Sequence, residues 1–262
     1  MEKKILYLLT CVGLCWSSCT NEVDEFIGNV EPSTRSVSTA LNANLASLFT
    51  GGAPTLTSAE IKEVNDAYAK MTSINCYRNI DEAVRNKTSY AGTIFLDDTY
   101  ASAYFRKGSL AFPPYGILAS SMEHEFIHMY QRDVQGKKVD TDKEKRDTGM
   151  MEFELAFYQG IIRYIHAGYS RTFKGEDGDP SYQSLWTSGL TDPSLIPQYE
   201  REFQTYVASI CANGKPTSID INEFVKWSNI FGEYSRGYSG KGYKFGNYDY
   251  GTSCINSLLK LY

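Results

Sequence analysis

Histidine is scarce in this chain, with three residues among 262. Basic residues are also in the minority: 26 Lys and Arg stand against 31 Asp and Glu, a formal net charge of −5. No basic stripe gathers along the sequence, which argues against nucleic acid as a partner. The one strongly apolar run, residues 5–16, is too short to cross a bilayer as a mature helix. Internal repeats are lacking. So are a Gly-rich phosphate-cradling loop, a pair of glycosidase carboxylates and a Ser/His/Asp set, and with them the usual sequence grounds for those chemistries. The acidic stretches Asp97–Asp98 and "GEDGD" (175–179) lack EF-hand spacing and read as solvated loops rather than calcium sites. What remains is globular in composition, with 42% hydrophobic and 22% charged residues, and unusually rich in tyrosine, with 20. Ordinary half-buried packing accounts for the tyrosines; carbohydrate or peptide surfaces would use them too.

The first residues, "MEKKILYLLTCVGLCWSSC", set Lys3 and Lys4 before the apolar run and small residues after it. That is the layout of a secretory signal. "WSSC" resembles the lipobox of bacterial lipoproteins, which implies cleavage after residue 18 and lipidation of Cys19. Trp16 stands where that signal usually has Leu, and Cys15 fits less well because the bulky Leu14 precedes it. Secretion without lipid is the simpler alternative. The acidic "TNEVDEF" that follows resembles a surface-sorting tag and reads equally as a solvated tether. The expected organisation is a signal peptide over 1–18, a lipidated tether and irregular lead-in over 19–55, and one folded domain over 56–262. The chain is expected at the cell envelope, anchored by lipid, most naturally on the outer membrane at its surface or periplasmic face. Outside the cytoplasm a disulfide between two of Cys76, Cys211 and Cys254 would leave one thiol over.

Within the domain, Thr57 and Glu60 form a capping box before Ile61, Val64, Ala67, Tyr68 and Met71 at helical spacing. "TIFLDD" (93–98) is β-prone, and 102–112 reads as a strand or hairpin with Gly108 at a turn or bulge. "FPPYG" breaks the chain before a helix over 117–132. A charged loop over 133–149 leads to a long helix over 150–169. Further helices are expected near 194–212 and 219–232, a long ordered loop or short strands over 234–250, and a last helix in the tail. The fold class is therefore α+β, mostly helical, with a small sheet just ahead of the histidine-bearing helix.

Two of the three histidines stand in "HEFIH" (124–128), which matches H-E-x-x-H. On a helix, residues four apart share a face about 6 Å apart, so His124 and His128 can aim ring nitrogens at one ion about 2.0–2.1 Å away. Glu125 lies beside that face, placed to take a proton from a metal-bound water whose pKa the metal lowers towards ~7. The bland alternative is a core helix whose histidines are merely hydrogen-bonded. A catalytic zinc commonly takes three protein ligands. The metzincin extension is missing, since Gln131 stands where its Gly would be. Glu152, Glu154 and His166 are the candidates for the third. Glu152 and Glu154 are 200° apart on a helix, so only one can face the ion, and Glu152 is preferred. His166, fourteen residues beyond Glu152, is too far along the helix to share its ion.

"HEFIHMYQ" followed after a polar loop by "MEFELA" resembles the gluzincin pattern, H-E-x-x-H with a glutamate ligand on the next helix. The resemblance covers about 37 residues and implies a zincin-like domain. It implies a zinc cofactor held by His124, His128 and Glu152, with Glu125 as general base. It also implies a donor for the tetrahedral oxyanion, for which the Tyr-rich stretch offers Tyr234 and Tyr238. The expected activity is hydrolysis of peptide bonds in a peptide or protein substrate. A rival expectation is a zincin-fold lipoprotein without activity that binds or scaffolds at the surface.

Overall fold

The computed structural model describes residues 40–137, 145–167, 191–235, 239–241, 243, 245–246 and 251–262. The expected signal, the Cys19 expected to carry lipid and the acidic run fall outside these residues, as do Tyr238, the 175–179 stretch and the side chain of His166.

Eight α-helices and five short strands are described. The chain opens with α1 (Ala43–Leu48), α2 (Ser58–Ser73) and α3 (Asn75–Lys87). The strands β1 (Ile94–Leu96), β2 (Tyr104–Arg106) and β3 (Ser109–Phe112) follow. Next come α4 (Ala119–Met129) and α5 (Lys145–Ala167). Then α6 (Ile196–Ile210) leads into a minimal hairpin of β4 (Cys211–Ala212) and β5 (Lys215–Pro216). The chain closes with α7 (Ile221–Tyr234) and α8 (Ser253–Leu259). The architecture is α+β, dominated by helices, with a small sheet immediately before α4. None of the described helices is long and apolar enough to cross a membrane.

The start of α2 forms as its sequence dictates. Thr57 Oγ1 accepts from the Glu60 backbone N–H at 3.3 Å, and Glu60 Oε2 accepts from the Thr57 N–H at 2.6 Å, satisfying donors the helix itself leaves open. Two helices go beyond the sequence expectation. In α3, the buried positions Cys76, Tyr77, Ile80, Asp81 and Val84 include a carboxylate, whose Oδ2 meets Tyr68 of α2 at 2.8 Å and Arg85 at 2.9 Å while its Oδ1 is left without a hydrogen bond. In α1, Leu45 and Leu48 are fully buried, with Phe49 just after it. The packed domain thus takes in residues from Leu41 on, not from 56, because three apolar side chains recur at helical spacing inside an otherwise polar stretch. No disulfide joins any two of Cys76, Cys211 and Cys254, the first and last of which are buried, so the expected bridge is not formed.

The sheet has the order β1-β3-β2, with β1 parallel and β2 antiparallel to β3. Lys107 and Gly108 both take positive φ, 50° and 78°, the signature of a two-residue type I′ turn that matches strand twist. Gly92 lies so close to this turn that a Cβ would stand 2.3 Å from the Gly108 carbonyl oxygen. β2 is an edge strand, and α4 packs against it.

Helix α4 is held by its back face. Met122, Phe126, Ile127 and Met129 are fully buried. At roughly 1.5–3 kcal/mol for each such side chain, this burial fixes the rotation of the helix firmly. Its opposite face is thereby presented to α5. Behind α5, Phe153 and Phe157 join Phe203 of α6 and Phe224 and Phe231 of α7 in one aromatic core.

Candidate metal centre

His124 and His128 lie one turn apart on the face of α4 that its buried residues leave free. Glu152, in the second turn of α5, meets them. His128 Nε2 is 3.2 Å from Glu152 Oε1, His124 Nε2 is 3.7 Å from Glu152 Oε2, and the two Nε2 atoms are 3.2 Å apart. Ligand atoms bound about 2.0–2.1 Å from one tetrahedral ion stand about 3.3 Å from each other. The His124–His128 and His128–Glu152 separations lie close to that figure, the His124 distance is to the other carboxylate oxygen of Glu152, and one ligand atom from each residue lies within 4.8 Å of the others. Two imidazole nitrogens and a carboxylate thus converge where one cation could be shared. The group can hold a metal ion.

The same convergence sets the ionisation of the site. Burial, reinforced by the neighbouring His128, pushes His124 down to about 4. Burial also acts to depress His128, but the charge and hydrogen bond of Glu152 more than reverse this and raise it to about 9. Glu125 is raised to about 8, first by burial; His128 pulls it down, Glu152 pushes it up, and the Phe105 backbone N–H lowers it again. Glu125 is 4% exposed and its Oε1 is 4.0 Å from His124 Nε2, beyond the ligand set but beside it. Edge strand β2 thus reaches the site through the backbone at Phe105.

Of the two glutamates on α5, Glu152 faces the histidines, as preferred from the sequence. Glu154 turns the other way, is fully buried, and accepts a hydrogen bond from Gln131 Nε2 at 2.8 Å. Gln131 escaped the sequence reading except as a departure from another motif. Its i+3 spacing from His128 was a usable signal. The helix changes character at this point: α4 gives way to a π-helical turn over Tyr130–Val134, where the Gln135 N–H reaches the Tyr130 carbonyl at 3.0 Å. Tyr234 ends α7 with its ring 5.8 Å from that of Tyr199, and none of the described hydrogen bonds or ion pairs joins it to the metal-binding group. Compared with known proteins, the chain matches no family model, no curated protein and no solved structure.

Proposed function

We propose that this protein is a zinc-dependent metallopeptidase of the gluzincin kind, exported and lipid-anchored at the cell envelope. The observation that carries the reading is the convergence of His124, His128 and Glu152 at separations of 3.2–3.7 Å, with a buried Glu125 beside them. Zinc is the preferred ion because two imidazoles and one carboxylate are a common catalytic zinc set that leaves a position open. Bound there, zinc supplies Lewis acidity that activates water and polarises a peptide carbonyl.

The residues of the chain supply the rest. Glu125 sits where a proton leaving the attacking water can be taken up and later passed to the departing amine. The Phe105 N–H orients the carboxylate from the side of β2. Gln131 and the walls of α4 and α5 hold the imidazoles in place. Tyr238 and Tyr234 stay proposals for the oxyanion donor. The substrate is a peptide or protein segment, and the leader residues 1–19 are read as the route to the envelope, with Cys19 carrying the lipid.

Metal analysis and hydrolysis together test the reading. Wild type is expected to carry one zinc per chain and to cleave members of a broad peptide library. His124→Ala and His128→Ala lose the metal. Glu125→Gln keeps it and loses cleavage by a factor of about 10²–10⁴, the usual contribution of a positioned acid–base group. If wild type binds zinc yet cleaves no better than Glu125→Gln, the protein is a metal-bearing binding or scaffold protein instead. Metabolic labelling with palmitate, lost in Cys19→Ala, checks the anchor.

A further inference from the structure

Resting on the metal-centre reading above, we propose that Gln131, itself held by Glu154, is a positioning residue that fixes which nitrogen of His128 is offered to the ion. Gln131 and Glu154 are both fully buried. The Gln131 Nε2 amide lies 2.8 Å from Glu154 Oε2 and 3.0 Å from the Met151 carbonyl oxygen. Both partners accept, so the end of the side chain facing them must be the NH₂ group, and the amide has only one workable orientation. Its Oε1 then faces His128 Nδ1 at 2.9 Å and can only accept. His128 Nδ1 therefore carries a proton, and Nε2, facing His124 and Glu152, is the nitrogen left for an ion to take. One chain of donors and acceptors, from α5 back to α4, sets the tautomer without reference to the ion. Partners of this kind orient metal-bound imidazoles and raise their basicity.

The π turn makes the contact. Tyr130–Val134 departs from the α-helical ladder directly after His128, at the point where the Gln131 side chain crosses to Met151 and Glu154. The two glutamates of "MEFEL" are thus divided in labour: Glu152 reaches the ion directly and Glu154 reaches it through an amide and an imidazole.

Zinc titration of the full chain against a competing chelator tests this, with two spectroscopic readouts. Gln131→Met keeps the length of the side chain and removes its polar end. It is expected to weaken zinc binding by roughly 10–100-fold while the stoichiometry stays at one, and to change the visible spectrum of the cobalt-substituted protein. In the zinc-loaded wild type the His128 Nδ1 proton gives a downfield, slowly exchanging NMR signal; in Gln131→Met that signal is lost. The paired exchange Gln131→Glu with Glu154→Gln puts an acceptor back beside His128 and a donor behind it. It is expected to recover the Nδ1 signal and part of the affinity, since the Met151 carbonyl then faces a carboxylate oxygen, whereas Gln131→Glu alone sets two buried carboxylates together and recovers neither. Wild-type affinity and spectrum in a folded Gln131→Met, or no Nδ1 proton in zinc-loaded wild type, overturns the proposal. Should Gln131→Met fail to fold, the wild-type signal and its retention in the exchange variant decide. If wild type takes up no zinc, or no more than His124→Ala does, the metal centre itself fails and this inference with it. If wild type binds zinc and His124→Ala does not, a null result at Gln131 removes only the positioning role.

Discussion

Two positions of α5 separate Glu152 from Glu154, and 200° of helix rotation sends one carboxylate to the histidines and the other into the protein interior. A similar division appears at Asp81, which is 1% exposed, receives the Tyr68 hydroxyl at 2.8 Å and pairs with Arg85 at 2.9 Å. Removing the hydroxyl leaves that buried charge short of a donor. Tyr68→Phe is expected to cost about 1.5–3 kcal/mol in urea denaturation, read as a lower midpoint at unchanged slope. An unaltered midpoint would show that water or Arg85 serves the carboxylate equally well. At this scale the sequence was legible wherever the geometry is local. His124, Glu125 and His128 are fixed by one turn of helix and could be placed from spacing alone. The choice between Glu152 and Glu154 depends on how α5 is rotated against α4, which local spacing does not encode. Gln131 was invisible as a partner because its two acceptors lie twenty and twenty-three residues away.

Among the elements, those with a start signal and an apolar period were readable: the Thr57–Glu60 box of α2, the long apolar face of α5, the hairpin at Gly108. Those without were not. Helix α3 has no side-chain cap, follows α2 after a single residue, and interrupts its buried face with Asp81. Helix α1 does have a cap, Asn42 Oδ1 accepting from the Asn44 N–H at 2.9 Å, and a short apolar period, but at six residues inside a stretch of Ser, Thr and Asn these signals did not stand out, and burial of Leu45 and Leu48 secures its helical state. The hairpin next to the metal-binding face offers a sharp test. Gly92→Ala would put a Cβ 2.3 Å from a backbone oxygen, which cannot move aside as a flexible side chain would. A loss of about 1–3 kcal/mol is expected, seen as a lower Tm. Lys107→Asn relieves a left-handed backbone at a position where Asn is favoured, and should raise stability by up to about 1 kcal/mol.

At the level of the whole molecule, α4 joins two halves of one core: α1 to α3 on one side, and the aromatic cluster of α5, α6 and α7 on the other. The candidate metal group lies where α4 meets α5, so an ion held there would tie the halves together. Zinc at about 100 times its dissociation constant should add about 2.7 kcal/mol to the stability of the wild type and nothing to His124→Ala, a difference that calorimetry with and without chelator measures directly. The thiols report on the same core. Cys76 and Cys254 are fully buried, their acidity suppressed first by burial, which lifts Cys76 to about 12 and Cys254 higher still. Alkylation followed by peptide mapping should find Cys211 modified in the native protein and the other two only at the rate of unfolding; early labelling of Cys76 would contradict the packing around it.

The wide turn at Tyr130–Val134 carries one residue more than a regular helical turn, and this has a genetic corollary. Loss of the Tyr130 codon would bring Gln131 to the second position after His128, about 100° round the helix from the place where it now meets the imidazole. A lineage could therefore keep "HEFIH" letter for letter and forfeit the partner of His128 through one small deletion outside the motif.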